Sequence, residues 1–419
     1  MNERGHLEVG GCDLLDLAAE HGTPLYVYDE TTVRGACRAF VGAAGGRADI
    51  LYSAKAFSSP AFLRVVAEEG LGLDVVSAGE LHLALRAGYP TERIDFLGNN
   101  KSRDDIAAAH RVGATLVVDG DHELDLIRQV VPEGGVIRCQ VRVSPGIVPD
   151  THDFISTGQL DSKFGFGVES GAAAGQVRDL IGEERIDLTG LHFHIGSQIF
   201  DLRGHVAALE VVLDLAAELR RDLGWTPRHL TAGGGLGIAY RPGDAPPAPA
   251  EFVETMLGAL DEGCRRRRLP LPRLALEPGR SIAGPSAVAL YTVGAIKDVP
   301  GVRRYVAVDG GMGDNPRPKL YGARYQVLYA ADPERPPAAD VTIAGKYCES
   351  TDILAEGAAL PELRPGDLLC MPAAGAYQLT MASNYNGVPR PAAVMVAEGE
   401  ARLIRRRETL DDLLRSEVF

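Results

Sequence analysis

From Ile50 onward, short apolar runs return at a spacing of roughly 21 or 22 residues, and amphipathic stretches fill the gaps between them. Parallel strands need a crossover between them, usually a helix, so this rhythm predicts repeated βα units. Strands are expected at Ile50 to Ala56, Gly72 to Ser77, Arg93 to Gly98, Ala114 to Asp119, Val136 to Val143, Leu188 to Gly196, His229 to Gly234 and Arg273 to Glu277. Eight strands alternating with helices is the count that closes a (β/α)8 TIM barrel. Its interior is packed by branched side chains, and its reactive groups sit at the strand C-termini. One such barrel takes about 250 residues, and the chain has 419, so a second domain is expected.

After Glu277 the texture changes to β-branched runs broken by Gly and Pro: Ala287 to Val293, Arg304 to Val308, Asp340 to Ala344, Asp367 to Met371 and Ala393 to Ala397. This predicts an antiparallel sheet or small barrel. Helical spacing returns only in the last turns, Glu408 to Arg415. A strand candidate at Leu25 to Tyr28, upstream of the barrel, is placed to return and pair with the C-terminal sheet. The expected fold is therefore α/β, a (β/α)8 TIM barrel over residues 31–278 plus a C-terminal antiparallel β-barrel or sandwich domain made of 1–30 and 279–419. The Pro- and Ala-dense stretch Arg241 to Ala250 reads as a surface loop.

Lys and Arg total 43 against 57 Asp and Glu, a net charge of −14. Nucleic acid and anionic membrane would be repelled by the average surface, whereas a small anionic substrate responds to the local field of a cleft. No secretory signal is visible at the N-terminus, and no apolar run approaches the roughly 20 residues that span a bilayer. The six cysteines, Cys12, Cys37, Cys139, Cys264, Cys348 and Cys370, form no Cys-x-x-Cys pair. Neither a disulfide framework nor a metal site is indicated, and a reduced, cytoplasmic setting is expected.

Four strand ends carry groups with chemistry. Lys55 closes the first strand among small neighbours; it reads as a Schiff-base nucleophile or as a lysine bridging a neighbouring strand's carboxylate. His192 and His194 lie two apart on the sixth strand, hence on the same side of it. Further metal ligands on later strands are missing, so an imidazole stacked on a flat aromatic cofactor is the better functional reading, with His192 as a packed core residue. Gly233, Gly234, Gly235 and Gly237 end the seventh strand, where a barrel commonly binds phosphate through backbone N–H groups; a tight turn would give the same letters. Glu277, Pro278, Gly279 and Arg280 end the eighth strand. Glu277 is suited to a protonated ring nitrogen and Arg280 to a phosphate or carboxylate, a mutual ion pair being the structural alternative. The four together have one economical explanation, pyridoxal 5′-phosphate (PLP). Further polar groups lie at Asp309 to Tyr321, Lys346 to Asp352 and Gly375 to Asn386, each readable singly as turn or sheet-edge polarity.

Read together, these segments resemble the PLP-dependent decarboxylases of the ornithine, diaminopimelate and arginine decarboxylase family. The most specific pieces are Tyr52 to Ala56, Gly98 to Ser102, Asp161 to Gly165, His192 to Gln198, Gly233 to Gly237, Glu277 to Arg280, Asn315 to Tyr321 and Cys348 to Asp352. Phe57, Thr351 and Gln378 to Ser383 depart from the commonest pattern. The resemblance implies an alanine-racemase-like barrel with a C-terminal β domain, working as a homodimer with shared active sites. It implies that Lys55 forms the Schiff base with the cofactor, His194 stacks on its ring and Glu277 pairs with the ring nitrogen. Ser197, Gly234, Gly235 and Gly237 would hold the phosphate, with Pro278, Gly279, Arg280 and Tyr377 completing the cofactor site. Arg280, Arg317 and Tyr321 would hold the substrate's distal carboxylate, Glu349 its distal ammonium, and Tyr377 would reach both phosphate and substrate. Cys348, donated by the partner subunit, would be the proton donor. A substrate with a second amino-acid head explains both the arginines and Glu349. The expected reaction is decarboxylation of meso-diaminopimelate at its D centre to L-lysine and CO₂; another amino acid, free or carrier-bound, is the alternative.

Overall fold

The computed structural model describes residues 1–147 and 162–418. The chain divides into two compact units, one of Gly35–Gly237 and Ala245–Ser281, the other of Met1–Arg34, Ile238–Asp244 and Ile282–Phe419.

In the first unit, eight parallel strands run Ala48–Ser53, Gly72–Val75, Ile94–Phe96, Thr115–Val118, Ile137–Ser144, Ile186–His192, His229–Thr231 and Arg273–Leu276. Each pairs with the next, and the eighth closes on the first in the register Leu274↔Ala48, Ala275↔Asp49, Leu276↔Ile50. The closed barrel expected from the strand rhythm is thus present. Its helices follow from amphipathic spacing and caps. In Arg203–Leu223 the buried residues Leu209, Val212, Leu213, Ala216 and Leu219 recur at three and four, one stripe facing the strands. Arg103–Val112 begins with a Ser102–Asp105 capping box and ends at Gly113 in the left-handed region.

Seven of the eight strands are shorter at their C-terminal ends than expected; the fifth runs one residue further, to Ser144. A ladder continues only where its neighbours run alongside, and at the mouth they diverge into loops. The first strand stops at Ser53, and Lys55 sits in a single 3₁₀ turn, Ala54–Ala56. The sixth stops at His192, so His192 and His194 do not share a strand face as the sequence pattern suggested. The glycine run and Glu277 likewise follow their strands.

The barrel interior is also more polar than a filling of branched side chains. The Gln140 amide donates to Asp95 Oδ2 at 3.2 Å and accepts from Thr231 Oγ1 at 2.9 Å. Asp74 and His192 are fully enclosed.

In the second unit one path of strands runs Ile353–Leu360, Ala339–Ala344, Arg303–Val308, Ala287–Val299, Leu25–Asp29, Ala392–Ala397, Glu400–Arg405. Leu368–Met371 pairs with Ala287–Val299 and with the short Leu328–Tyr329. The Leu25 strand does return to this sheet, antiparallel to Ala287–Val299 and parallel to Ala392–Ala397. Arg303–Val308 and Ala339–Ala344 are the other parallel pair, so the mainly antiparallel sheet has two parallel seams. Alternation sorts the Leu25 strand: Leu25 and Val27 join Leu290, Leu368, Val394 and Val396 in one apolar cluster. Tyr26 and Tyr28 are also buried, with hydroxyls that donate to Asp314 Oδ2 (3.1 Å) and the Gly375 carbonyl (3.1 Å).

Apart from two-residue strands such as Leu328–Tyr329, two strands lie outside the expected runs. Ile353–Leu360 is Ala, Glu and Gly from Ala355 to Ala359, with Ile353 its one β-branched residue, and Glu400–Arg405 is mostly exposed with Ile404 its one β-branched residue, so neither has the β-branched signature. The tail expected as helical turns holds a 3₁₀ segment, Leu410–Leu414. Among the described residues, no helix is long and apolar enough to cross a membrane.

Candidate active site

The barrel mouth gathers the groups of four strand ends. Lys55 Nζ lies 3.8 Å from Asp74 Oδ2, on the neighbouring strand, and Ser53 Oγ donates to the same oxygen at 2.5 Å. The bridging alternative for Lys55 therefore holds in this structure, and an amine with a partly exposed side chain still stands at the mouth. Burial, and then the charge of Glu277, push the Asp74 carboxyl above its usual range. Glu80, near the start of the next helix, accepts the Val76 N–H at 2.8 Å. Its carboxyl is raised to about 7, mainly by burial and further by Asp74, against an opposing pull from Lys55 and the Val76 bond. Neither Asp74 nor Glu80 was picked out from the sequence. A lone carboxylate inside the apolar strand Gly72–Val75 was the available signal.

Glu277 is 5% exposed. Burial is the largest influence on its carboxyl and pushes it up, but His192, through its charge and a 3.2 Å hydrogen bond from Nε2 to Oε2, acts together with the charges of Lys55 and Arg142 to turn the net direction down. The other carboxylate oxygen, Oε1, is buried without a hydrogen-bond partner. His192 is thus more than core filler: it holds one face of Glu277 and leaves one oxygen for something else.

His194 Nδ1 accepts the Gly234 N–H at 3.3 Å. Burial first, then the charges of Lys55 and Arg142, hold its imidazole well below the ordinary histidine range, so the ring is neutral. Arg142 pairs with Asp119 at 3.1 Å and lies over the Phe164 ring at 4.3 Å. Asp161 lies outside the described residues. In the Gly98 to Ser102 segment, buried Lys101 donates to the carbonyls of Gly98 and Val117 and pairs with Glu123 at 2.9 Å, pinning strand ends together.

The glycine run is needed for packing as well as for any ligand. A Cβ on Gly234 would overlap the Glu277 carbonyl, and one on Gly237 would overlap the Phe200 ring. Gly233 and Gly235 have φ of +64° and +96°. Ser197 stands opposite: its Oγ accepts from Arg280 Nε at 3.2 Å and Nη2 at 2.9 Å. Arg280 is 5% exposed, and Gly279 fits against Ser53 and Ala56, bringing the Pro278 turn onto the Lys55 segment. A pyridoxal phosphate fits this donor set. The bare Glu277 oxygen suits a protonated ring nitrogen, and the Ser197 hydroxyl with the Arg280 guanidinium suits a phosphate.

The second unit holds a separate cluster. Arg317 begins a short helix, Arg317–Tyr321, missed by strand spacing. It is 6% exposed, donates from Nε to Tyr325 Oη at 3.0 Å, and lies 5.2 Å and 5.4 Å from the ring centres of Tyr321 and Tyr377. Among the described residues, no carboxylate lies within ion-pair distance of it. Cys348 and Glu349 are exposed, and the Cys348 N–H donates to Asn386 Oδ1 at 2.9 Å. Cys348 is the exposed one of the six cysteines; the other five are buried.

Residues 30–284 match the family model "Pyridoxal-dependent decarboxylase, pyridoxal binding domain". The chain is 46% identical to the diaminopimelate decarboxylase of Bacillus subtilis, covering 100% of this chain and 96% of that protein. It is 44% identical to that of Mycobacterium tuberculosis, with the same coverage. Among solved structures, diaminopimelate decarboxylase of M. jannaschii with L-lysine superposes at a TM-score of 0.94 and 32% identity, over 100% of this chain and 97% of that one. The Helicobacter pylori enzyme complexed with L-lysine gives 0.89 and 33%, over 97% and 99%.

Proposed function

This chain belongs to the pyridoxal-dependent decarboxylases, and from that membership we propose that it removes CO₂ from meso-2,6-diaminopimelate to leave L-lysine, the last step of lysine biosynthesis. It is a carboxy-lyase that uses pyridoxal 5′-phosphate. The cofactor, when bound, supplies the ring that accepts the electron pair left by departing CO₂.

The protein's part is binding, orientation and proton placement. Lys55 is the covalent anchor. Glu277, with its unpartnered Oε1, holds a proton on the ring nitrogen, and His192 keeps that carboxylate ionised and aimed. Neutral His194 offers a flat face for stacking without adding a competing positive charge. Ser197, Gly234, Gly235, Gly237, Pro278, Gly279, Arg280 and Tyr377 form the remaining cofactor contacts.

The observation that carries the substrate choice is Arg317, a buried guanidinium with tyrosines around it and no carboxylate in ion-pair reach among the described residues. A buried cation is costly until a counter-charge arrives. The distal carboxylate of diaminopimelate supplies one, with Arg280 and Tyr321 beside it; a substrate such as ornithine does not. Glu349 then meets the distal ammonium.

The protein acts as a homodimer with shared sites, in which Cys348 of one chain delivers a proton to Cα of the substrate bound to the other. The exposure of Cys348 and Glu349 supports this, since a donor for a second chain must be presented at the surface. The six free cysteines suit a reducing, cytoplasmic setting. The division into a barrel of 31–278 and a β domain of 1–30 and 279–419 is proposed on the same footing.

Purified holoenzyme given a panel of amino acids should release CO₂ and L-lysine from meso-diaminopimelate. Release of CO₂ from another amino acid, with none from meso-diaminopimelate, would overturn the substrate assignment.

A further inference from the structure

Asp352 is 3% exposed and has no part in the chemistry above. Its two carboxylate oxygens serve different loops: Oδ1 accepts the Met312 N–H at 2.7 Å, and Oδ2 accepts the Tyr347 N–H at 2.9 Å. Its own carbonyl accepts from Gly345 N–H at 2.9 Å, and its N–H donates to the Glu349 carbonyl at 3.1 Å. A parallel bond from Lys346 N–H to the Gly310 carbonyl, 2.9 Å, ties the same two loops. The fit is close: a Cβ on Gly311 or on Gly345 would run into the Asp352 carboxylate. Glycine at both positions leaves room for a carboxylate to sit between the loops.

The first loop leads within five residues to Arg317. The second contains Cys348, the neighbour of Tyr347, and Glu349, whose carbonyl Asp352 also holds. We propose that Asp352 is a positioning residue that sets the arginine for the substrate's distal carboxylate and the proton-donating cysteine with one side chain. Only a carboxylate provides two acceptors here. An asparagine would turn an N–H₂ group toward a backbone N–H and release one loop or the other. The inference rests on the roles proposed above for Arg317 and Cys348.

The test is steady-state kinetics of PLP-loaded Asp352→Asn with meso-diaminopimelate, beside three further variants. Arg317→Ala should raise KM, and Cys348→Ala should lower kcat; if either control fails, the site assignment is wrong. With both controls behaving, Asp352→Asn should raise KM and lower kcat together, each by about tenfold, the effect of one lost charge-assisted hydrogen bond. Asn386→Ala, which removes only the acceptor of the Cys348 N–H, should lower kcat and leave KM in place. If Asp352→Asn moves one parameter alone, or neither, the proposal is overturned. If Asp352→Asn does not fold, judged by PLP absorbance and thermal melting, Asp352→Ser is measured for the same split. Failure of both to fold would mark Asp352 as purely structural and also overturn the proposal.

Discussion

Replacing Glu277 by Gln keeps the shape of the side chain and removes its charge. Gln can still accept from His192 Nε2, where the carboxylate now does so at 3.2 Å, so the histidine is not stranded. What is lost is the ionised oxygen that has no partner in the protein. Two routes bracket the effect. One charge-assisted hydrogen bond is worth about 1.5 to 3 kcal/mol net, which is roughly 10- to 150-fold in rate. Treated as an ion pair at ~3 Å with an effective dielectric of ~20, the attraction is roughly 5 kcal/mol, or several thousandfold. The expectation is therefore a fall in kcat of at least about tenfold and up to several thousandfold at saturating PLP. Cofactor retention, read from visible absorbance, should change far less, because Lys55 and the phosphate contacts are untouched. CO₂ release under saturating substrate is the assay. A kcat within about threefold of the parent, with PLP fully bound, would refute the assignment of Glu277 to the ring nitrogen.

Two other outcomes are open to measurement. Mixing Lys55→Ala and Cys348→Ala chains should restore roughly a quarter of the activity, since about half the dimers are mixed and each has one intact site of two; no recovery after subunit exchange refutes the shared site. Asp95 concerns stability: it lines a cavity of about 200 Å³ with Thr115, Gln140 and Thr231, at the barrel end away from Lys55. Burial, and then Glu277 and Asp74, raise its carboxyl to about 8. Its folded pKa lies above the unfolded value of about 3.9, so its contribution is favourable at low pH and is lost as pH rises from about 4 to about 8. Asp95→Asn should therefore gain on the parent in urea unfolding between pH 5 and pH 8; a difference that stays constant with pH would refute the shift.

The barrel was legible because periodicity is local. Each βα unit announces itself in about 20 residues, and the alternation Leu25, Tyr26, Val27, Tyr28 marks a strand buried on both faces wherever it pairs. Lys55, His194, Glu277 and Arg280 stood out for the same reason: a polar residue directly after an apolar run falls at a strand end, and strand ends share one mouth. Strand bounds were less legible. The ladder of a strand ends where its neighbours leave it, a property of two chain segments rather than of one.

The amino-acid sequence by itself therefore determined the eight-unit barrel, the return of the N-terminal strand and the residue types offered at the mouth. Tertiary structure alone decided which of those residues meet. Asp74 comes to Lys55 across a strand pair, and His192 takes one oxygen of Glu277 from 85 positions away while leaving the other bare. Arg317 is enclosed by tyrosines with no acidic partner in reach among the described residues, and Asp352 joins two loops that nothing in their spacing connects. Such pairings depend on closure of the barrel and the sheet over long sequence separations. Local patterning carries no information about distance between segments that only the folded chain brings together.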